Sequence, residues 1–181
     1  READRPIEEV TGTLQRLVED GKIGGFGFSE IAPSSFRLAH AVAPVTAVQS
    51  EYSLWTRQPE LGMVQACRDL GVALVAFCPL GRGIFASKAP DPAEFGAADF
   101  RKPNPRFVEP NLSRNIEALA PFKAYASDLG TTPVALAIAW LLSRGDHVIP
   151  IPGTRSASHL QECVRGAELG LGEPELAEID R

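Results

Sequence analysis

Residues 72–80, VALVAFCPL, form an almost unbroken apolar run that ends at Pro79. Such a run marks a strand covered on both faces, which is how strands of parallel sheets are buried, and the proline marks its exit. Working outward, residues 45–50 (VTAVQS) are β-branched and apolar and read as a second strand. Between the two, Leu61, Val64, Cys67 and Leu70 recur every three positions before Gly71, the pattern of a helix and its stop.

The same alternation extends in both directions. Ile7, Val10, Leu14, Leu17 and Val18 lie at helical intervals between Pro6 and Gly21, so residues 6–20 are expected as an amphipathic helix. A short glycine-weakened strand is expected over 22–29 and a helix over 34–42. Beyond the apolar run, residues 81–110 are dense in proline and glycine and are read as a long surface loop without firm secondary structure. Helices follow over 112–129, with a kink at Pro121, and over 133–143, where Thr132 can cap and Pro133 can take the first turn. A fourth strand spans 148–152, Ser156 can cap a further helix, and 175–179 closes the chain with a short one. Four strands alternating with helices must run parallel, because only a helical crossover joins parallel neighbours. The class is α/β.

Composition narrows the function. Over 181 residues, 18 Lys and Arg oppose 23 Asp and Glu, a net charge of −5. That leaves no cationic field for counterion release, so nucleic acid is not an expected partner. Hydrophobic residues at 44% and charged residues at 23% describe an ordinary globular core. Cys67, Cys78 and Cys163 show neither paired spacing nor an even count, so no disulfide framework or paired-cysteine zinc site is expected, and a reducing cytoplasm is. No apolar stretch reaches the roughly 18 residues of a membrane span, and READRPIEEV has no signal-peptide core. His40, His147 and His159 form no ligand pair, so no metal is assigned. Residues 27–31 lack the second glycine of a nucleophile elbow. His40, Trp140 and Cys67 read as packing residues.

Two features carry chemistry. Gly81-Arg82-Gly83-Ile84-Phe85-Ala86 matches G-x-G-x-x-A after a strand, the spacing of a dinucleotide-binding turn. Such a turn must open into a helix near Ile84, and the KAPDP that follows at 88–92 counts against it. The second feature is convergence, because in parallel α/β folds the ligand site lies beyond the C-terminal ends of the strands. Ser29-Glu30, Gln49-Ser50, Phe77-Cys78-Pro79-Leu80 and 151–155 occupy those ends. Taken singly, Ser29 and Gln49 can serve loop backbone groups, Phe77 can be core and Arg155 a solvated helix start. Gly153-Thr154-Arg155 leads into a helix N-terminus, where N–H groups, the helix dipole and a guanidinium suit a phosphate. Residue physics alone leaves phosphate binding and a plain helix start equally open there.

Five strings then become recognisable: GKIGGFGFSE (21–30), AVQSEYSLWTR (47–57), AFCPLGRG (76–83), TPVALAIAWLLSRG (132–145) and IPIPGTRS (149–156). Together they resemble the aldo-keto reductases over nearly the whole chain, closest to the subgroup with Ser-Glu after its fifth strand. The resemblance implies a parallel (β/α)8 TIM-type barrel. This chain would supply about its C-terminal half, from the family's fourth helix to the C-terminal helices, as one partial domain over 1–181. It implies an NADPH-dependent oxidoreductase that reduces aldehydes or ketones, small carbonyl compounds being the substrates. By the same resemblance Ser29 and Gln49 hold the nicotinamide carboxamide, Glu30 belongs to the cofactor-binding set beside them, and Phe77 takes the place of the ring stacked beneath the nicotinamide. Cys78, Pro79, Leu80, Gly81, Arg82 and Gly83 form the loop along the pyrophosphate. Gly153, Thr154 and Arg155 receive the 2′-phosphate, with His159, Glu162 and Cys163 toward the adenosine. Glu30, His159 and Cys163 stand where many members carry Asn, Arg and Asn.

The family's catalytic Asp, Tyr, Lys and His map to none of these residues, so no catalytic residue is assigned, and neither Tyr52 nor Tyr125 takes the proton-donor role. A complete barrel needs about 250 residues. A non-catalytic NADPH-binding regulatory subunit and an inactive remnant are the alternative functions. Residues 22–28 and 148–152 are expected as outer strands with unpaired edges, lacking the charges or bulges that blunt an edge, and hence as sites of self-association.

Overall fold

The computed structural model describes residues 4–181, so the first three residues of READRPIEEV and of the domain reading lie outside it. The chain resolves into two compact units. The first holds residues up to Tyr52, Thr56–Phe77 and Gly145–Ile151; the second holds Ser53–Trp55, Cys78–Arg144 and Pro152–Arg181.

The first unit contains the sheet. Its strands β1 (Gly27–Ser29), β2 (Ala47–Glu51), β3 (Ala73–Phe77) and β4 (Val148–Ile151) are ordered β1-β2-β3-β4, and every neighbouring pair is parallel. Helix α1 (Ile7–Glu19) precedes β1, α2 (Pro33–Val42) crosses from β1 to β2, and α3 (Met63–Leu70) crosses from β2 to β3. α1 packs on α2, α2 on α3, and α3 on β3. Phe36, Val48, Cys67, Val72 and Leu74 are almost fully buried in this unit, each at 2% exposure or less. Strand pleating sends alternate residues to opposite faces, and β2 and β3 follow it: Val48, Ser50, Leu74 and Ala76 are buried, while Ala47, Gln49, Ala73, Val75 and Phe77 are less so. The register lines Ser29, Gln49, Val75 and Ile149 across this more open face, with Glu51, Phe77 and Ile151 in the next row.

β1 is three residues long, not the eight expected. Gly24 and Gly25 have no side chains to pack, and pairing starts at Gly27, whose added Cβ would come within 2.5 Å of the Ala47 carbonyl oxygen. β1 and β4 are the sheet's edges, as expected, but β4 carries Pro150 at its centre, a blunting device that the sequence reading left out. His40 and His147 serve the main chain here: His40 Nδ1 accepts from the Val45 N–H at 3.3 Å, and His147 Nε2 lies 3.0 Å from the Val64 carbonyl oxygen.

The second unit is helical. It comprises α4 (Asn111–Ala118), α5 (Ala120–Asp128), α6 (Pro133–Leu142), α7 (Ala157–Glu168) and α8 (Glu173–Ile179). The expected single helix over 112–129 is two, since the chain breaks at Leu119 and Pro121 sits in the first turn of α5, a position that needs no N–H. Thr132 caps α6 by accepting the Ala135 N–H, and Ser156 caps α7 by accepting from His159. Eight consecutive residues of α6, Val134–Leu141, are buried, and α7 lies along it. Gly166 marks the closest approach of the two helices, because a Cβ there would stand 2.6 Å from the Ala135 carbonyl oxygen. The Trp140 indole is fully buried and donates to Asp180 Oδ1 at 3.0 Å.

The long segment between β3 and α4 is not a bare surface loop. Ile84, Phe85, Phe95 and Phe107 are buried and form an apolar cluster with Leu112, Leu119 and Ala137. Phe85 packs edge-on to Trp55 and Phe122, and Phe95 edge-on to Phe107. Short 3-10 turns at Pro92–Glu94 and Pro105–Phe107, capped by Asp91 and Asn104, punctuate it. Among the described residues no helix is long and apolar enough to cross a membrane.

Candidate functional site

The ends of the strands in the first unit hold one group of candidate residues. Ser29 and Gln49 are register partners on β1 and β2, and both are exposed. Past the end of β1 the chain turns sharply: Glu30 takes a left-handed backbone, φ +53°, while its N–H donates to the Gln49 carbonyl at 2.9 Å. Its carboxylate reaches across the strand end, where Oε1 accepts the Glu51 N–H at 3.0 Å. Glu30 thus ties β1 to β2 directly beside Ser29 and Gln49, a structural task the sequence did not announce. Phe77 ends β3, half-buried, with its carbonyl accepting from the Tyr52 N–H at 3.3 Å.

The remaining candidates lie in the second unit. Cys78 opens it with φ +49°, and the chain then coils through a tight turn in which Gly81, Arg82 and Gly83 have φ of +55°, +61° and +96°. Gly83 donates its N–H to the Leu80 carbonyl at 3.0 Å, and Gly81 donates to Cys78 at 2.9 Å. Gly81 is obligatory on two grounds, its left-handed φ and a space in which a Cβ would stand 2.8 Å from Ile84 Cγ2. Pro79 and Gly81 are buried, and Leu80 packs into two apolar clusters, so the main chain of this turn is what remains for a ligand. Ile84 and Phe85 turn into the core and no α-helix starts there, which removes the dinucleotide-turn reading of G-x-G-x-x-A.

Gly153, Thr154 and Arg155 are exposed ahead of α7. Thr154 Oγ1 accepts the Ser156 N–H at 3.1 Å, which shapes the helix entry, and nothing lies within 4 Å of a Cβ built on Gly153. His159 is exposed and Glu162 half-buried on the first turns of α7. Cys163 behaves differently: it is 5% exposed and packs with Val134 and Ile138. Burial, with Glu162 adding to it, pushes its thiol pKa up. Its side chain is a core residue and not part of the exposed surface that carries Arg155.

Two cations that sequence reasoning passed over hold the Gly81 turn. Lys123 Nζ donates to the Ala86 carbonyl at 2.8 Å, and its burial lowers its pKa. Arg101 Nη1 approaches the Arg82 carbonyl at 3.5 Å, while its Nε and Nη2 engage Asp99 at 2.7–3.2 Å. Arg101 lies in no periodic element, and Lys123, on α5, bonds a carbonyl 37 residues away, so no local pattern pointed to either. Tyr52 is fully buried and donates to Glu60 Oε1 at 2.9 Å.

Comparison with known proteins agrees with this geometry. A sequence profile described as the Aldo/keto reductase family matches residues 2–181. The chain is 41% identical over 174 residues to "Probable aldo-keto reductase 1" of Glycine max, covering 96% of this chain and 50% of that protein. Among solved structures, a glycerol dehydrogenase of Gluconobacter oxydans superposes over 99% of this chain and 55% of its own, with TM-score 0.88 and 27% identity. A thermostable aldo-keto reductase solved with the inhibitor epalrestat shares the fold, with TM-score 0.73 and 24% identity over 99% of this chain and 56% of its own. The chain therefore spans about half the length of the relatives it matches. Its parallel α/β architecture is theirs, and the chain belongs to the aldo/keto reductase family.

Proposed function

We propose that this chain carries most of the NADPH site of an oxidoreductase that reduces aldehydes or ketones to alcohols. The observation that carries the reading is where backbone strain falls. Among the described residues, the non-glycine positions with left-handed φ are Glu30, Cys78 and Arg82, and all three belong to the candidate cofactor set. Such conformations cost on the order of 1–3 kcal/mol each and concentrate at functional sites. The cofactor fits the residues present: Gly81 leaves main chain where a side chain cannot go, and Gly153 leaves open space ahead of a helix N-terminus.

In this reading Ser29 and Gln49 hold the nicotinamide carboxamide through side-chain hydrogen bonds, with Glu30 fixing the strand ends that carry them. Phe77 presents a ring face for stacking. Cys78, Pro79, Leu80, Gly81, Arg82 and Gly83 lie along the pyrophosphate; Gly153, Thr154 and Arg155 meet the 2′-phosphate with charge-assisted bonds, His159 and Glu162 adjoining. When bound, NADPH supplies the hydride that goes to the carbonyl carbon. No residue of this chain is assigned to protonate the carbonyl oxygen. A non-catalytic NADPH-binding subunit is the second reading. A cytoplasmic location suits either.

Fluorescence titration tests the cofactor assignment. NADPH is expected to bind more tightly than NADH, and Arg155→Glu to abolish that preference. An unchanged ratio would mean that the 2′-phosphate does not lie at Arg155. A carbonyl turnover assay on the natural reading frame separates the enzyme from the binding subunit.

A further inference from the structure

The Gly81-Arg82-Gly83 turn poses a problem of its own. Three consecutive residues are left-handed, and the middle one is an arginine with φ +61°, a conformation that persists only where the surroundings over-determine it. The local hydrogen bonds from Gly83 to Leu80, Ile84 to Gly81 and Ala86 to Gly83 close the turn but leave the Arg82 carbonyl outside them. That carbonyl faces Arg101, whose Nη1 stands 3.5 Å away across nineteen residues of chain.

Arg101 is itself held on three sides. Nε lies 3.0 and 3.2 Å from the two Asp99 oxygens, and Nη2 lies 2.7 Å from Oδ2. The guanidinium carbon stands 4.2 Å over the Phe95 ring, and Phe95 is buried edge-on to Phe107. The fork geometry of the guanidinium commits one edge to the carboxylate and leaves Nη1 directed at the turn. Gly83 serves the turn through its φ of +96°, and a Cβ there would meet Arg101 Nη1 at 3.7 Å and Pro90 at 3.8 Å, ordinary contact. Asp99 neutralises the guanidinium, so Arg101 contributes position and not net charge.

We propose that Arg101 is a positioning residue: clamped by Asp99 and Phe95, it holds the Arg82 carbonyl and so fixes the main chain that lies along the cofactor pyrophosphate. The proposal rests on the cofactor reading above for its ligand, but not for its effect on the turn.

Two measurements on wild type, Arg101→Gln, Arg101→Lys and Asp99→Asn keep these parts separate. Hydrogen exchange of the free protein is expected to show the amides of residues 81–86 exchanging about tenfold faster in Arg101→Gln, with α6 unchanged. Titration with NADPH and with adenosine 2′,5′-bisphosphate is expected to show about a tenfold loss for NADPH and no change for the bisphosphate, which carries the 2′-phosphate but no dinucleotide pyrophosphate. Arg101→Lys keeps the charge without the fork and should fall between wild type and Arg101→Gln. Asp99→Asn should resemble Arg101→Gln. Unchanged exchange at 81–86, or equal weakening of both nucleotides, overturns the proposal. If the wild type binds neither nucleotide, the cofactor reading fails, and the positioning of the turn stands or falls on hydrogen exchange alone.

Discussion

Replacing glycine by alanine inside a helix normally stabilises it by about 1 kcal/mol, since alanine has less backbone freedom to lose. Gly166 should reverse that sign. Its added Cβ would stand 2.6 Å from the Ala135 carbonyl oxygen and 2.8 Å from Ile138 Cβ, roughly 0.8 Å inside the 3.4 Å at which ordinary contact begins. Neither obstacle is the end of a flexible side chain: one is main chain of α6 and the other a β-branched carbon fixed to it. α6 and α7 must therefore separate, loosening the contact of Cys163 with Val134 and Ile138. Overpacking of this kind costs typically about 1–3 kcal/mol, so subtracting the propensity gain of about 1 kcal/mol leaves Gly166→Ala up to about 2 kcal/mol less stable than wild type. Gly12, in the interior of α1 with nothing within 4 Å of its added Cβ, is the matched control and should gain up to about 1 kcal/mol as alanine. Urea unfolding followed by Trp140 fluorescence and far-ultraviolet circular dichroism reads both. A Gly166→Ala midpoint at or above wild type would refute the claim that this glycine sets the interhelical distance.

Three further outcomes follow from single contacts. The Arg101 guanidinium, then the Arg101 main-chain N–H, hold the Asp99 carboxyl at about 2 against an ordinary 3.8, so the stabilisation is complete above 3.8 and lost as pH falls through about 2. Carbon-13 shifts of the Asp99 carboxyl should titrate near 2 in wild type and move upward toward 3.8 in Arg101→Gln, which keeps only the main-chain N–H; a wild-type midpoint near 3.8 contradicts the clamp. Asp180→Ala removes the acceptor of the buried Trp140 indole and should cost about 1–3 kcal/mol, with Asp180→Asn milder; equal melting temperatures for all three proteins argue against that bond. Tyr52→Phe should cost roughly 1 kcal/mol of stability while leaving NADPH affinity intact, and a selective loss of affinity would return Tyr52 to the site.

The elements that sequence made legible are those whose periodicity matches their burial. α1, α3 and the β2-α3-β3 succession lie where apolar spacing put them, because one face of each is buried. The capping residues Thr132 and Ser156 were readable from chemistry that acts over three residues. Reading failed where distance along the chain defeats periodicity. Phe85, Phe95 and Phe107 pack together although no helix or strand joins them, so 81–110 looked like surface. Cys163, which the resemblance puts toward the adenosine, sits on the face of α7 that packs against α6. The candidate site was legible at strand ends and invisible at Arg101 and Lys123, whose roles depend on contacts to main-chain carbonyls 19 and 37 residues away.

The aromatic cluster within 81–110 also says how this segment can change over time. Its fixed points are Phe85, Phe95 and Phe107, separated by nine and eleven residues of mostly exposed or partly exposed chain, much as a tent hangs between poles. The fabric between poles can be recut: lengthening a span costs little closure entropy, since that cost grows only with the logarithm of loop length. Shortening a span below what its two poles require would pull an aromatic out of the core. Lineages descended from this sequence should therefore show insertions gathered between the phenylalanines, and directed diversification of the segment should start at those spans.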